Sequence, residues 1–272
     1  NLRDPALRET LSIGAPTVLV MLCSFAIVSV QTAASYSFSD SGPSVLAYAR
    51  LWFTLPYAFL AVPITTTMFT ELAEMQAEGN TQGVKRGIVS GTNQILFFMI
   101  PFALYLMVFA LPLVTLYHAG AFTMESVSAI ASYLAVLAVA LPFYGVNTYL
   151  QKVYSSVRKM GVFAGFNFVA GGVQIGLTML AASGVGSLPF EAIAAAEAAF
   201  YVVADVCLFA YLRRHLGAFG LRSTLRALAC SLALGGLGAA AGAGVLFALQ
   251  TWAAPLSGSI PQALAYVAAG GL

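Results

Sequence analysis

Apolar residues run along this chain in long stretches, separated by short polar or turn-rich breaks. The pattern predicts helices over residues 5–36, 44–73, 83–116, 124–154, 160–183, 189–213 and 223–250, with a last, truncated one from about 260. Most exceed the ~20 residues needed to cross the hydrocarbon core of a bilayer. Asp4-Pro5 is a start signal for the first: a capping acid, then proline at the first helical position. Thr123, with Glu125 just inside, does the same for the fourth. Pro16, Pro56, Pro63, Pro101 and Pro142 fall inside predicted helices, where each removes a backbone hydrogen bond and invites a kink. Such breaks either bend the helices or serve as hinges between moving parts.

The order of charges fixes an expected orientation. Of the twelve Lys and Arg residues, all but Arg50 lie at alternate breaks. Arg3 and Arg8 are at the N-terminal end; Lys85 and Arg86 follow the second helix; Lys152, Arg158 and Lys159 follow the fourth; Arg213, Arg214, Arg222 and Arg226 follow the sixth. The connections around 37–43, 117–123, 184–188 and 251–259 carry none. The positive-inside rule then places the N-terminus and the basic breaks in the cytoplasm. The alternation also supports the helix count, because a missed or invented helix would mix the two sets.

Composition agrees. The chain is 60% hydrophobic and 8% charged, against about 25% charged in soluble domains, and its mean hydropathy is +0.88. The fold class expected is all-α, a polytopic helical bundle in a membrane. A net charge of +2 gives no reason to expect nucleic acid as a partner. Cys23, Cys207 and Cys230 are scattered in apolar runs without metal-ligand spacing. His118 and His215 read as loop residues far apart in sequence. No nucleophile elbow, phosphate loop, zinc-protease motif or dinucleotide-binding glycine pattern occurs. Neither an enzyme, a metal site nor a cofactor is expected. The chain opens on Asn-Leu-Arg-Asp-Pro and stops in an apolar run, which reads as a piece of a longer protein.

The candidate chemistry lies in the polar residues inside the apolar runs. Arg50 falls about 10 Å below the outer boundary of the second helix at ~1.5 Å per residue. A lone arginine there costs at least a few kcal/mol if it faces lipid. Either it snorkels toward the interface beside Tyr48 and Trp52, or it faces a wet cavity and meets an anion, whose oxygens a guanidinium fork suits. Glu197 and Asp205 are eight residues apart on the sixth helix, about 80° around its axis, and so share one side. They are open to pairing with Arg50, to binding a coupling cation, or to lining a cavity; Asp205 is also near enough to Arg213 to approach the cytoplasmic interface. Gln31, Gln94, Asn147, Asn167 and Gln174 are mid-helix amides expected to bond between helices. Small residues crowd helices five to seven, which implies close helix packing.

Several segments, taken in order, resemble the MurJ/MviN family of lipid II flippases. They are Ala34-Ser35; Gly42-Pro-Ser-Val-Leu-Ala-Tyr-Ala49; Leu55-Pro56 with the apolar half that follows to Glu71; His118-Ala-Gly-Ala-Phe-Thr123; and Val153-Tyr154 before a polar turn. The resemblance covers about residues 1–250. It implies a two-lobe exporter of which residues 1–216 form the second six-helix lobe and residues 217–272 one additional C-terminal helix and part of another, with the N-terminal lobe of the same protein as partner. Many family members carry a cavity-lining arginine in the second helix. Aligned without a gap back from Pro56, that arginine falls on Leu51, one place after Arg50. The family's usual proline after the fourth helix is replaced by Arg158-Lys-Met-Gly-Val162.

The reading placed first is a flippase that moves lipid II, a lipid-linked peptidoglycan precursor, across the cytoplasmic membrane by alternating access. Arg50, Gln31, Ser35 and Tyr48 are the candidates for its transport path, with Glu197 and Asp205 as candidates for ion coupling and membrane lipids as surroundings. The alternatives are a drug or cation antiporter of the same superfamily, favoured by the two acids and opposed by Arg50, and a membrane scaffold that transports nothing.

Overall fold

The computed structural model describes residues 5–118, 122–184, 186–252 and 258–271. Among the described residues ten α-helices follow one another: α1 (Pro5–Ser35), α2 (Gly42–Pro56), α3 (Val62–Ala77), α4 (Thr81–Thr115), α5 (Met124–Leu137), α6 (Leu141–Ser156), α7 (Met160–Ala182), α8 (Ala192–Leu216), α9 (Leu221–Trp252) and α10 (Ile260–Gly271). There is no strand among the described residues. Helix α2 runs into α3 through a π-helical turn, Tyr57–Ala61, and α5 into α6 through a 3-10 turn, Ala138–Ala140. Those joined pairs are the second and fourth helices expected from the sequence. Seven of the resulting rods are long and apolar enough to cross a membrane, from Gly14–Ser35 to Arg222–Thr251. The chain is thus a multi-pass membrane protein.

Caps set several boundaries. The Thr123 side chain accepts from the Ser126 N–H, as expected, with Glu125 in the first turn of α5. Asn80 starts α4 by accepting from the Gly83 N–H at 2.8 Å. Asp4, the capping acid expected for the first helix, lies outside the described residues, as do residues 119–121. The sixth rod begins at Ala192 and runs to Leu216, three residues past the expected end. His215 therefore sits in its last turn with Arg213 and Arg214, rather than in a loop. Cations there complement the negative end of the helix dipole. Gly217, at φ 81°, then supplies the backbone sign that ends the helix.

The prolines act by different means. Pro63 cannot donate to the carbonyl four residues back, and the preceding turn widens, with the Val62 N–H reaching the Tyr57 carbonyl. Pro142 follows a tightened turn in which the Leu141 N–H reaches Ala138. Pro16, Pro56 and Pro101 are carried inside helices. The π turn absorbs one extra residue, so α2 is rotated by about 100° relative to a regular continuation of α3.

Helix α4 is the central post. It packs against α3, α5 and α6 on the inner side and against α9 and α10 on the other. Helices α1, α7 and α8 form a second packed group, joined to the first through α8 with α5 and α6 and through α1 with α2. The core holds Phe53, Phe109, Tyr133, Tyr149, Tyr154 and Phe163, all fully buried. Two of these phenols close backbone gaps: Tyr149 donates to the Gly87 carbonyl at 2.8 Å and Tyr154 to the Leu208 carbonyl at 2.7 Å. Tyr149 fits because Gly91 leaves its ring the room a side chain would fill.

Gly91→Ala is expected to push the Tyr149 ring off its seat and to destabilise the bundle by about 1–3 kcal/mol. The same change at Gly172, mid-helix and where an added methyl meets nothing within 4 Å, is expected instead to stabilise, by about 0.5–1 kcal/mol. Parallel unfolding curves in detergent micelles measure both.

Candidate functional site

Arg50 turns inward. Its two terminal nitrogens donate to the two carboxylate oxygens of Glu197, at 3.1 and 2.7 Å, the fork-to-fork geometry that makes guanidinium–carboxylate pairs strong. Gln31 donates its amide to Oε2 of the same carboxylate at 3.2 Å. Three rods thus meet at one acid: α1 through Gln31, α2 through Arg50 and α8 through Glu197. The acid is deeply buried, 3% exposed, while the arginine side chain is 37% exposed. Removing a carboxylate from water is costly, and the Arg50 fork and the Gln31 amide offset that cost.

The rotation of α2 explains which residue turns inward. Leu51, the position on which a gap-free alignment places the family's arginine, is 53% exposed. Arg50, one place earlier, meets the bundle interior. Snorkelling toward the interface is not what this side chain does. Tyr48 and Trp52, the interfacial aromatics, instead pack on Tyr117, with Tyr48 also edge-on to Phe122 at 4.8 Å.

Three tyrosines that are not among the sequence candidates lie near the pair. Tyr133 of α5, Tyr144 of α6 and Tyr201 of α8 all lie within electrostatic reach of Arg50 and Glu197. Tyr144 is in ring contact with Phe53, Tyr57 and Tyr201 at centroid distances of 5.5, 4.5 and 5.4 Å. The Tyr133 hydroxyl is buried and has no hydrogen-bond partner among the described residues. A phenol in the middle of an apolar run was the available signal.

The remaining candidates divide. Gln31 joins the pair. Ser35 is fully buried but donates to the Thr32 carbonyl at 2.7 Å in its own helix, and its own carbonyl sits where a side chain at Gly42 would be. It serves the close approach of α1 and α2. Tyr48 belongs to the aromatic group with Tyr117 and Phe122. Glu197 and Asp205, expected on one side of their helix, face different neighbours: Asp205 looks to α6, where the Asn147 amide donates to Oδ1 at 2.9 Å. It does not reach the interface; it is 5% exposed, and its Oδ2 has no partner among the described residues. Asp205 borders an apolar cavity of about 460 Å³ shared with Phe143, Phe209, Arg213 and Leu228. Of the other mid-helix amides, Gln94 bonds to Ser90 and Asn167 to the Phe163 carbonyl, each within its own helix rather than across to another.

The fold is a helical bundle of membrane-length rods that holds an arginine–glutamate pair between three of them. The model of the family described as lipid II flippase MurJ matches residues 1–259, and the chain belongs to that family. It is similar to the probable lipid II flippase MurJ of Borreliella burgdorferi, 25% identical over 145 residues, covering 52% of this chain and 29% of that protein. It is likewise 25% identical over 114 residues to the lipid II flippase MurJ of Thermosipho africanus, covering 42% of this chain and 23% of that one. A solved lipid II flippase MurJ in an inward closed conformation has the same fold, with a TM-score of 0.64 at 20% identity, over 98% of this chain and 50% of the solved one. The chain therefore spans half the length of that structure and less of the curated relatives.

The pair's unequal burial sets an order of costs. Arg50→Ala leaves Glu197 buried and unpaired and is expected to cost about 3 kcal/mol or more, whereas Glu197→Gln leaves an arginine that still reaches water and is expected to cost less. Asn147→Leu is expected to cost roughly 1–3 kcal/mol by stranding Asp205, and much of that loss is expected to vanish when Asp205→Leu is added. Denaturant titration in micelles checks both orders.

Proposed function

We propose that this chain supplies one lobe of a flippase that carries lipid II across the cytoplasmic membrane by alternating access. The carrying observation is a guanidinium held inside a membrane-spanning bundle in a member of the MurJ family. Lipid II presents a pyrophosphate between its sugar-peptide and its polyprenyl tail. An arginine matches phosphate oxygens with two parallel bonds and keeps its charge at any working pH. Arg50 is the contact for that headgroup, and Tyr144 and Tyr201, which unlike Tyr133 are only partly buried, provide donors and ring faces for the sugars. Gln31 steadies the acid behind it; Ser35 and Tyr48 shape the approach of α1 and α2 to the same path.

In this reading residues 1–216 form the second lobe and residues 217–272 the additional helices, with an N-terminal lobe of the same protein closing the cavity from the other side. The N-terminus and the basic breaks lie in the cytoplasm, as the charge alternation implies. Asp205, held through one oxygen only, is the acid assigned to ion coupling.

The test uses the full-length protein that contains this chain. Depleting it in its native cell is expected to stop lipid II from reaching the outer leaflet. Wild type restores it, Arg50→Ala does not, and Arg50→Lys, which keeps the charge but loses the fork, restores it in part. If depletion leaves lipid II export untouched, the function is wrong; if Arg50→Ala rescues fully at matched expression, Arg50 is off the path. Orientation is checked separately: Ser39→Cys is expected to react with an impermeant thiol reagent from outside the cell, and Gln82→Cys only after permeabilisation.

A further inference from the structure

The Arg50 fork is already occupied. Both terminal nitrogens of the guanidinium bond to Glu197, and the pair together carries no net charge. A phosphate seeks the same two nitrogens in the same planar geometry. It also meets the repulsion of the Glu197 carboxylate, which burial leaves weakly screened. An anion therefore gains little from Arg50 while Glu197 holds it.

Two features give the acid somewhere to go. Gln31 donates to Oε2 from α1 and does not depend on Arg50. The Tyr133 hydroxyl, on a side chain 1% exposed, has no partner among the described residues and lies within electrostatic reach of Glu197. A buried phenol without a partner is costly, and a released carboxylate is an acceptor that satisfies it. Tyr144 and Tyr201, in ring contact with each other at 5.4 Å, are also within electrostatic reach of the acid.

We infer that Glu197 is a built-in stand-in for the ligand: it occupies the Arg50 fork until a phosphate-bearing headgroup takes its place and hands it to Gln31 and Tyr133. This rests on the assignment of Arg50 to an anionic cargo. It makes Glu197 a specificity device. A single weak anion does not displace a forked carboxylate, whereas a pyrophosphate, with more charge and more oxygens, does.

The experiment measures binding of inorganic pyrophosphate and of farnesyl pyrophosphate to the full-length protein in micelles, by calorimetry. Glu197→Gln is expected to tighten both by about five-fold or more, the gain is expected to be absent when Arg50→Ala is combined with it, and Tyr133→Phe is expected to weaken binding in the wild type but not in Glu197→Gln. A merely structural Glu197 lowers the melting temperature without any such gain. Glu197→Asp, one methylene shorter, is expected to give a smaller gain of the same sign and serves if the glutamine variant does not fold. Unchanged or weaker binding in the Glu197 variants, with Arg50→Ala still weakening it, overturns the exchange and leaves Arg50 on the path. Absence of pyrophosphate binding in wild type and Glu197→Gln alike overturns the exchange and the role of Arg50 together. Failed lipid II export in cells, with the five-fold gain present, overturns the cargo and supports the exchange.

Discussion

A charge inside a hydrocarbon layer must be matched, and in this protein that requirement brings three helices to one point. Glu197 is buried deeply enough that it is tolerated only because Arg50 and Gln31 reach it. The three residues stand on α8, α2 and α1, so the position of each rod is tied to the other two. Tyr133 of α5 and Tyr144 of α6 lie within electrostatic reach of the same pair. An apolar interface between membrane helices has no hydrophobic effect to drive it, because lipid is as apolar as the side chains. Polar pairing and close packing therefore carry the specificity of this assembly.

The backbone makes that pairing possible. A regular helix through residues 42–77 would present a different face of α2 to the bundle. The π turn at Tyr57–Ala61 adds the rotation that brings Arg50, and not Leu51, to the interior. Proline supplies the cause, since Pro63 cannot complete the regular ladder. The 3-10 turn before Pro142 is the opposite adjustment in the fourth rod, from which Asn147 reaches Asp205. Each irregular turn thus lies in the same rod as a residue that carries a polar contact, Arg50 in one and Asn147 in the other, and packed helices absorb the backbone groups it frees.

The two acids of α8 differ in how completely they are satisfied. Glu197 has both oxygens engaged. Asp205 has one, and it borders an apolar cavity. The first arrangement is a closed pair, with each carboxylate oxygen bonded to the arginine fork. The second is a carboxylate with spare capacity. A single helix carries both because its opposite turns look toward different neighbours, α1 and α2 above and α6 below.

The sequence by itself determined the spans. Hydropathy, turn residues and caps act over a few positions, so the eight apolar stretches reappear as rods with ends shifted by a few residues, as at Ala77 and Leu216. It also singled out Arg50, Glu197 and Asp205, because charge in an apolar run is visible one residue at a time. Which charge meets which was not visible. Arg50 and Glu197 stand 147 residues apart, Gln31 and Glu197 166, and Asn147 and Asp205 58. Helical periodicity put the two acids on one side of α8, yet how neighbouring rods are arranged decided their partners. Prolines announced that the helices would break but not whether a turn would widen or tighten. That choice depends on packing against α4 and α6, and only the tertiary structure supplies it.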